Sequence, residues 1–199
     1  MNETKASQTA LATSLMRAIH TRLDHPKHID DPWGDRLLLD AERAVFGPEK
    51  RLRGIATYGI VILRAQYTEE ALAAAVARAV RQYVILGAGM DSFALRRPAF
   101  AQDLNVIEVD HPASQSFKRE RLRTCGVPVP PGLHFVPADL GREELPTVLA
   151  RSPYRQGEPA FFSWLGVTVY LTREANLATL RGIATSSAAG NELVFSYVD

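Results

Sequence analysis

The sequence predicts an α/β fold: a doubly wound, mostly parallel sheet of about five strands, preceded by a helical N-terminal extension. From about residue 67 onward, short apolar runs alternate with segments of helical spacing, which is typical of parallel strands joined by crossover helices. Residues 1–30 are instead polar and helix-prone. We therefore expect residues 1–66 to form the extension, which would cap a substrate, and residues 67–199 to form a ligand-binding core that is incomplete at its C-terminal end.

The composition is that of an ordinary globular protein. The chain has 199 residues, 46% hydrophobic and 23% charged, which is enough for one domain with a sizeable core. The net charge of +1 argues against a nucleic-acid partner. The sequence shows no signal-peptide pattern and no membrane-length apolar run, so we expect a cytoplasmic protein without a membrane partner. Cys125 is the single cysteine, which excludes an intrachain disulfide and a cysteine metal cluster, and we expect no metal.

The extension has apolar residues at helical spacing. Its first helix would bury a stripe made of Leu11, Leu15, Ala18 and Ile19. A further helix is expected at about residues 54–65, before the core begins.

Residues 67–82 form the clearest helical pattern in the chain. Thr68 is expected to cap this helix, and Glu69 and Glu70 would interact favourably with its N-terminal dipole. The helix leads directly into an apolar run, which predicts the first strand of the sheet.

Five apolar runs are typical of strands that are buried on both faces. The predicted strands are residues 83–89, 105–110, 133–140, 160–171 and 192–199. The helices after the second, third and fourth strands are expected at residues 112–126, 142–150 and 172–187. The charged stretch at residues 117–124 is interpreted as the solvated face of such a helix.

The predicted sheet places a group of candidate residues at one edge. In open α/β sheets the ligand lies beyond the carboxyl ends of the strands. The residues that follow the first four strands are Gly87-Ala88-Gly89, Asp110, Asp139 with Leu140, and the region 164–170.

The glycine turn favours a ligand without phosphate. Glycines let the backbone turn and approach a ligand closely. In a dinucleotide site the pyrophosphate binds the N–H groups at the start of the next helix, but here Asp91 occupies that place and Ser92 stands where a third glycine is expected. S-adenosylmethionine has no phosphate, and its sulfonium and amine suit a nearby carboxylate. Asp91 is equally well explained as a helix N-cap, and both roles are compatible.

Two further acids fit a nucleoside. Asp110 lies about 21 residues after Gly89, close to the spacing of an acid that accepts hydrogen bonds from ribose hydroxyls. Asp139 is expected to accept a bond from the adenine amine, and the Leu140 N–H to donate one to the ring. The simpler alternative is that both acids are ordinary turn residues.

Five motifs occur in order between residues 63 and 172: "LRAQYTEEAL", "YVILGAGMDSFALR", "VIEVDHPASQSFKRERL", "FVPADL" and "GVTVYLT". On these motifs the chain resembles the leucine carboxyl methyltransferase family, in particular its bacterial polyketide-type O-methyltransferases. The resemblance implies a class I methyltransferase (Rossmann-like) fold, S-adenosylmethionine as methyl donor, and a carboxylate or hydroxyl of a small, polyketide-like metabolite as acceptor.

The resemblance also implies roles for single residues. Arg64 would pair with the methionine carboxylate of the donor, and Gly87 and Gly89, with Ala88 between them, would line its methionine and ribose. Asp110 would hold the ribose, and Asp139 with Leu140 the adenine. His111 is a further candidate for cofactor contact, and Tyr170 and His111 are the candidates for a catalytic base.

One departure from the family pattern leaves other functions open. Many members carry a glutamate where this chain has Leu165, so Asp91 or main-chain carbonyls would have to hold the donor's amine. A binding module for S-adenosylmethionine without catalysis is therefore an alternative. A nicotinamide-dependent dehydrogenase is a further alternative, which Asp91 and Ser92 disfavour.

Overall fold

The computed structural model describes residues 3–186 and 188–197. Its helices are α1 (Glu3–Leu23), α2 (Trp33–Leu37), α3 (Asp40–Phe46), α4 (Glu49–Arg53), α5 (Ala56–Ala77), α6 (Phe93–Arg96), α7 (Pro112–Thr124), α8 (Leu145–Leu149) and α9 (Arg173–Ser186). Its strands are β1 (Gln82–Leu86), β2 (Asn105–Asp110), β3 (Leu133–Pro137), β4 (Ala160–Trp164) and β5 (Glu192–Phe195). The last predicted helix reaches Ser187 and the last predicted strand reaches residues 198–199, and these positions lie outside the described residues.

The strands form one parallel sheet in the order β3-β2-β1-β4-β5. From β1 the chain winds outward through β2 and β3, and it then returns to the other side of β1 with β4. The carboxyl ends of β1 and β4 therefore flank the switch point of the sheet, where such folds bind ligands. The prediction of a doubly wound, mostly parallel sheet behind a helical N-terminal extension is confirmed.

The sheet is buried because both of its faces carry apolar side chains. All five residues of β1 and of β4 are buried, as expected for central parallel strands. Alternate residues of one strand enter different cores, since successive side chains point to opposite faces. Val84 and Phe162 pack with α8 and α9, whereas Tyr83 and Phe161 pack against α5 and α6.

Four strands end earlier than the apolar runs that predict them, and β5 is one of these because it stops at Phe195. Strands β1, β3 and β4 stop at Leu86, Pro137 and Trp164, and the residues after them are loops around the switch point. After β4, Gly166 has a φ of +69° and the backbone turns into a short 3₁₀ helix, Thr168–Tyr170. The apolar runs continue past the strands because residues of these loops, such as Leu140 and Val167, also pack on the core.

The prediction of two helices on either side of residue 66 is wrong, because α5 runs without a break from Ala56 to Ala77. Thr68 does not cap a helix: it is buried within α5, and its hydroxyl donates to the Arg64 carbonyl oxygen at 2.7 Å. Glu69 likewise lies in the body of the helix. The proposed division at residues 66 and 67 therefore falls inside one helix, and it stays a prediction.

The extension packs on the core through its own apolar cluster. Leu11, Leu15, Ala18 and Ile19 are all buried, as their spacing predicts. This stripe of α1 contributes to a cluster that also includes Leu122 of α7. In the part of the chain that the structure describes, no helix is both long enough and apolar enough to cross a membrane.

Candidate cofactor site

A cavity of about 190 Å³ lies at the carboxyl ends of the strands, beside the switch point. The loops after β1 to β4 form one side of the cavity, and α1 and α5 form the other. All the residues that the sequence suggested line it: Arg64, Gly87, Ala88, Gly89, Asp91, Asp110, His111, Asp139, Leu140 and Tyr170. The fold therefore brings these residues together from positions that are far apart in the chain.

The glycine turn is shaped by contacts within the protein. Gly87 and Gly89 have φ values of +69° and +51°, in the left-handed region that glycine adopts readily. A Cβ on Gly87 would lie 2.2 Å from Cγ2 of Val167, and one on Gly89 would lie 3.0 Å from Cβ of Ala10. The glycines thus allow the loop after β4 and the first helix to close onto the turn.

The N–H groups of the glycine turn donate to acceptors within the protein. The N–H groups of Gly87 and Ala88 both donate to the Val109 carbonyl, at 2.7 and 3.4 Å. The Gly89 N–H donates to Oδ2 of Asp110 at 2.5 Å, and the Asp91 N–H donates to the Ala88 carbonyl at 2.8 Å. Few of these donors point freely at the cavity, in contrast to a turn that cradles phosphate.

Asp91 lies one residue before the N-cap of α6, which is Ser92. The N-cap interpretation of Asp91 is therefore wrong by one residue, although its Oδ1 accepts the N–H of Phe93, the first residue of α6, at 2.8 Å. Because α6 has four residues, it offers little dipole to an anion. Asp91 lines the cavity as well, which places its negative charge beside any ligand there.

Asp110 ends β2 with both carboxylate oxygens in hydrogen bonds. Oδ2 accepts from the Gly89 N–H, and Oδ1 accepts from the N–H of His111 at 2.7 Å. Burial raises the pKa of Asp110 above its ordinary value, against the opposing effect of these two N–H groups. Each oxygen has a second lone pair, so a ligand hydroxyl can still bind the carboxylate.

His111 and Tyr170, the two candidate bases, each form a hydrogen bond within the protein. Nδ1 of His111 accepts the Ala113 N–H at 3.3 Å, so this ring caps α7 and has one nitrogen left for other contacts. Tyr170 is 38% exposed, and its hydroxyl donates to Oγ1 of Thr9 at 3.2 Å. Both residues line the cavity.

Asp139 belongs to a turn and faces the cavity as well. Its Oδ1 accepts the Gly141 N–H at 2.9 Å, which is the ordinary turn role considered from the sequence. Leu140 is buried beside it, and its N–H has no acceptor among the residues that the structure describes. This pair therefore presents one acid and one free N–H donor to the cavity.

Arg64 lies on α5 at the opposite side of the cavity, with its guanidinium against Gly166. Burial lowers the pKa of Arg64 from its ordinary value, and the neighbouring charge of Arg17 lowers it further. Within residues 3–186 and 188–197, no carboxylate forms an ion pair with Arg64. A partly buried cation without a partner is a strong site for an anionic group of a ligand.

The sequence did not indicate a buried acid, Asp31, that joins the extension to the glycine turn. Its Oδ2 accepts from Nε of Arg17 at 2.7 Å and from the Ser92 hydroxyl at 2.5 Å. Arg17 also donates to the carbonyl of Met90 at 3.0 Å. The contacts to Ser92 and Met90 span 61 and 73 residues, so local patterns cannot reveal them. The sequence signal nearest to this group is the "DDP" stretch that contains Asp31.

The interpretation of residues 117–124 as a solvated face is wrong for two members. Lys118 is 1% and Arg121 8% exposed, because α7 turns them toward partners on other elements. Lys118 binds Glu108 of β2 at 2.6 Å, and Arg121 binds Glu42 of α3, also at 2.6 Å.

Among the described residues, no group of three or more His, Cys, Asp and Glu side chains has a geometry that could hold a metal ion.

The family of the chain follows from comparison with known proteins. A family model described as leucine carboxyl methyltransferase matches residues 10–184. The chain belongs to this family. The resemblance stated from its motifs is thereby confirmed.

Two relatives of the chain are described as methyltransferases, in agreement with the family. The chain is 33% identical to a Bacillus subtilis protein named as an S-adenosyl-L-methionine-dependent methyltransferase, YktD, and the match covers 100% of this chain and 73% of YktD. A protein of the same description from Mycolicibacterium smegmatis is 33% identical, with 98% of this chain and 68% of that protein covered. The predicted enzyme class, a methyltransferase that depends on S-adenosylmethionine, is confirmed.

A solved structure supports the fold. The crystal structure of a protein from Thermobifida fusca described as a methyltransferase matches with a TM-score of 0.57 at 19% identity. The match covers 81% of this chain and 63% of that one. The class I methyltransferase fold that the sequence predicts is confirmed, and the chain spans less than two thirds of the T. fusca protein.

Proposed function

We propose that this member of the leucine carboxyl methyltransferase family transfers the methyl group of S-adenosylmethionine to a carboxylate or hydroxyl oxygen of a small, polyketide-like metabolite. One observation carries the choice of ligand. The N–H groups of Gly87, Ala88 and Gly89 are bound by acceptors of the chain itself, and Asp91 adds a negative charge beside them. A pyrophosphate would find few donors and an opposing charge there, whereas a sulfonium and an amine would be stabilised.

The distribution of charge along the cavity fits the donor. Arg64 has no acid partner in the described chain and is proposed to bind the methionine carboxylate. Asp110 is proposed to accept from the ribose hydroxyls, and Asp139 with the Leu140 N–H to bind adenine. Asp91 lies on the same turn and is proposed to face the amine, the place that Leu165 leaves without an acid.

When bound, S-adenosylmethionine supplies a methyl group on a sulfonium, which is already activated for transfer by its positive charge. The protein's contribution is then to align the acceptor oxygen, exclude water and set the local field. A carboxylate acceptor is ionised at neutral pH and needs no base, whereas a hydroxyl would benefit from one. Tyr170 and His111 stay the candidates for that role, since both line the cavity.

Calorimetric titration tests the donor site. We expect the purified protein to bind S-adenosylmethionine and S-adenosylhomocysteine and to show no heat with NADH. Asp110→Ala should weaken binding, whereas Asp103→Ala, which changes an exposed acid outside the cavity, should not. Arg64→Met and the exposed control Arg51→Met form a second matched pair. Binding of NADH alone, or equal binding by Asp110→Ala and wild type, would contradict the proposed site.

Product analysis tests the reaction and the acceptor class. The protein is incubated with S-adenosylmethionine and a panel of small aromatic carboxylic acids and phenols, and S-adenosylhomocysteine is measured. Mild alkali cleaves a methyl ester and leaves a methyl ether intact, so treatment of the product separates carboxylate from hydroxyl transfer. Donor binding without product across the panel would instead favour the alternative of a binding module without catalysis.

A further inference from the structure

Lys118 is a buried cation beneath the glycine turn. It lies on α7, and its ammonium contacts two oxygens on different elements. Nζ donates to Oε2 of Glu108 on β2 at 2.6 Å and to the main-chain carbonyl of Asp91 at 2.6 Å. The side chains of Lys118 and Glu108 are 1% and 2% exposed, so this pair is withdrawn from solvent.

The Lys118–Glu108 pair is a second connection between β2 and the glycine turn, in addition to the hydrogen bond of Asp110. Asp110 of β2 binds the Gly89 N–H directly, whereas Glu108, two residues earlier on the same face of the strand, reaches the Asp91 carbonyl through Lys118. Arg17 binds the carbonyl of Met90, which lies between these two points. Residues 89–91 are thus fixed at three successive positions by side chains from three elements.

Stability alone does not explain this arrangement. A buried ion pair is often no more stabilising than an apolar pair of similar volume, because both charges lose their hydration. Here Oε1 of Glu108 is buried and has no hydrogen-bond partner in the described chain, which adds a further cost. Burial raises the pKa of Glu108 to about 7, although Lys118 acts against this shift. The fixed carbonyl of Asp91 is the feature that an apolar pair would not reproduce.

We propose that Lys118 is a positioning residue for the cofactor, which fixes the main chain of Asp91 and thereby directs the Asp91 carboxylate and the Gly89 turn at the donor. This inference rests on the proposed function of the cavity. Lys118 is absent from the lining of the cavity, so its effect on a ligand would be transmitted through the turn. The charged groups around the pair are Asp91 on the turn and Asp110 on β2, and the Phe135 ring of β3 lies 5.9 Å from Nζ.

The double variant Glu108→Leu/Lys118→Met removes the bond to the Asp91 carbonyl without leaving a lone buried charge. Glu108→Gln removes the counter-charge of Lys118 but keeps the lysine that bonds the Asp91 carbonyl. The matched control is Glu42→Leu/Arg121→Met, which removes another ion pair of α7 that does not touch the turn. Calorimetry gives the Kd for S-adenosylhomocysteine, and thermal unfolding without ligand gives the Tm of each variant.

We expect the Kd of the Glu108→Leu/Lys118→Met variant to rise roughly 10- to 100-fold, the effect of losing one charge-assisted hydrogen bond. The control pair should bind with the wild-type Kd, even where its Tm is lower. Glu108→Gln should bind more tightly than the double variant, because it keeps the bond from Lys118 to the Asp91 carbonyl. A folded Glu108→Leu/Lys118→Met variant with wild-type affinity, or an equal loss in the control pair, would overturn the inference. If the double variant does not fold, Lys118→Met at pH 6 replaces it, because Glu108 can then take a proton. A wild-type protein that binds no S-adenosylhomocysteine would instead overturn the proposed function.

Discussion

Replacement of Gly87 by alanine is expected to destabilise the protein through two separable effects. The first is backbone strain, because a residue with a Cβ at a φ of +69° costs about 1–2 kcal/mol. The second is overlap, since the new Cβ would lie 2.2 Å from Cγ2 of Val167, and overpacking of this kind costs about 1–3 kcal/mol. The expected loss in free energy of unfolding is therefore about 2–5 kcal/mol, a large share of a typical domain's stability.

Gly126 provides the control for backbone strain. Its φ is +65°, close to that of Gly87, but a Cβ there would have no atom within 4 Å. Gly126→Ala should thus lose only the strain component, about 1–2 kcal/mol. Urea unfolding followed by circular dichroism measures both variants, and the difference between them reports the overlap with Val167.

A second substitution checks that overlap with Val167 causes the additional loss of stability in Gly87→Ala. Val167→Ala removes Cγ1 and Cγ2 and leaves Cβ, which would lie 3.2 Å from the new methyl group. In the double variant Gly87→Ala/Val167→Ala, part of the loss should be recovered, which gives a favourable coupling energy in the double-mutant cycle. Equal losses for Gly87→Ala and Gly126→Ala, together with no coupling to Val167, would refute the argument that close approach of this loop requires the glycine.

Three further predictions concern other parts of the molecule. Gly59→Ala should raise the free energy of unfolding by about 0.5–1 kcal/mol in urea titrations, because the residue lies inside α5 and a Cβ there meets no other atom. Tyr83→Phe should lower it by about 1–3 kcal/mol, since the buried hydroxyl of Ser163 loses its 2.8 Å partner, and adding Ser163→Ala should restore part of the loss; no recovery would contradict this. Burial raises the pKa of Asp110, so the affinity for S-adenosylhomocysteine should fall on acidification at a higher pH than for an ordinary aspartate, as the carboxylate proposed to accept the ribose hydroxyls takes a proton. Titrations between pH 4.5 and 8 test this, and an Asp110→Asn variant with the same acidic fall would exclude Asp110 as its origin.

The sheet and its glycine turn were predictable because their signals are local. A strand buried on both faces is a continuous apolar run, so β1 and β2 begin within a residue of their predicted starts. The break expected near Thr68 was wrong for a related reason. Thr-Glu-Glu is a good local helix start, but nothing in the preceding residues breaks the helix, and α5 continues through it.

The polar contacts around the site were not predictable, since they depend on distant partners. Charges on an amphipathic helix are usually solvated, and only the position of α7 below the turn gives Lys118 its contacts with Glu108 and Asp91. Asp31 meets Ser92 across 61 residues of sequence. Sequence periodicity does not reveal a contact between residues so far apart, such as that of Asp31 with Ser92. The spacing between Gly89 and Asp110, in contrast, did indicate that these two residues lie close together.

The contact of Asp31 with Ser92 and Arg17 limits how the extension can be exchanged between relatives. In a chimera that carries a relative's segment in place of residues 1–55, Asp31 is replaced by the relative's residue, whereas Ser92 is kept. A graft lacking that acid would leave the buried Ser92 hydroxyl of the host without the acceptor that Asp31 provides. An exchange of the extension between relatives should therefore include the stretch around Ser92.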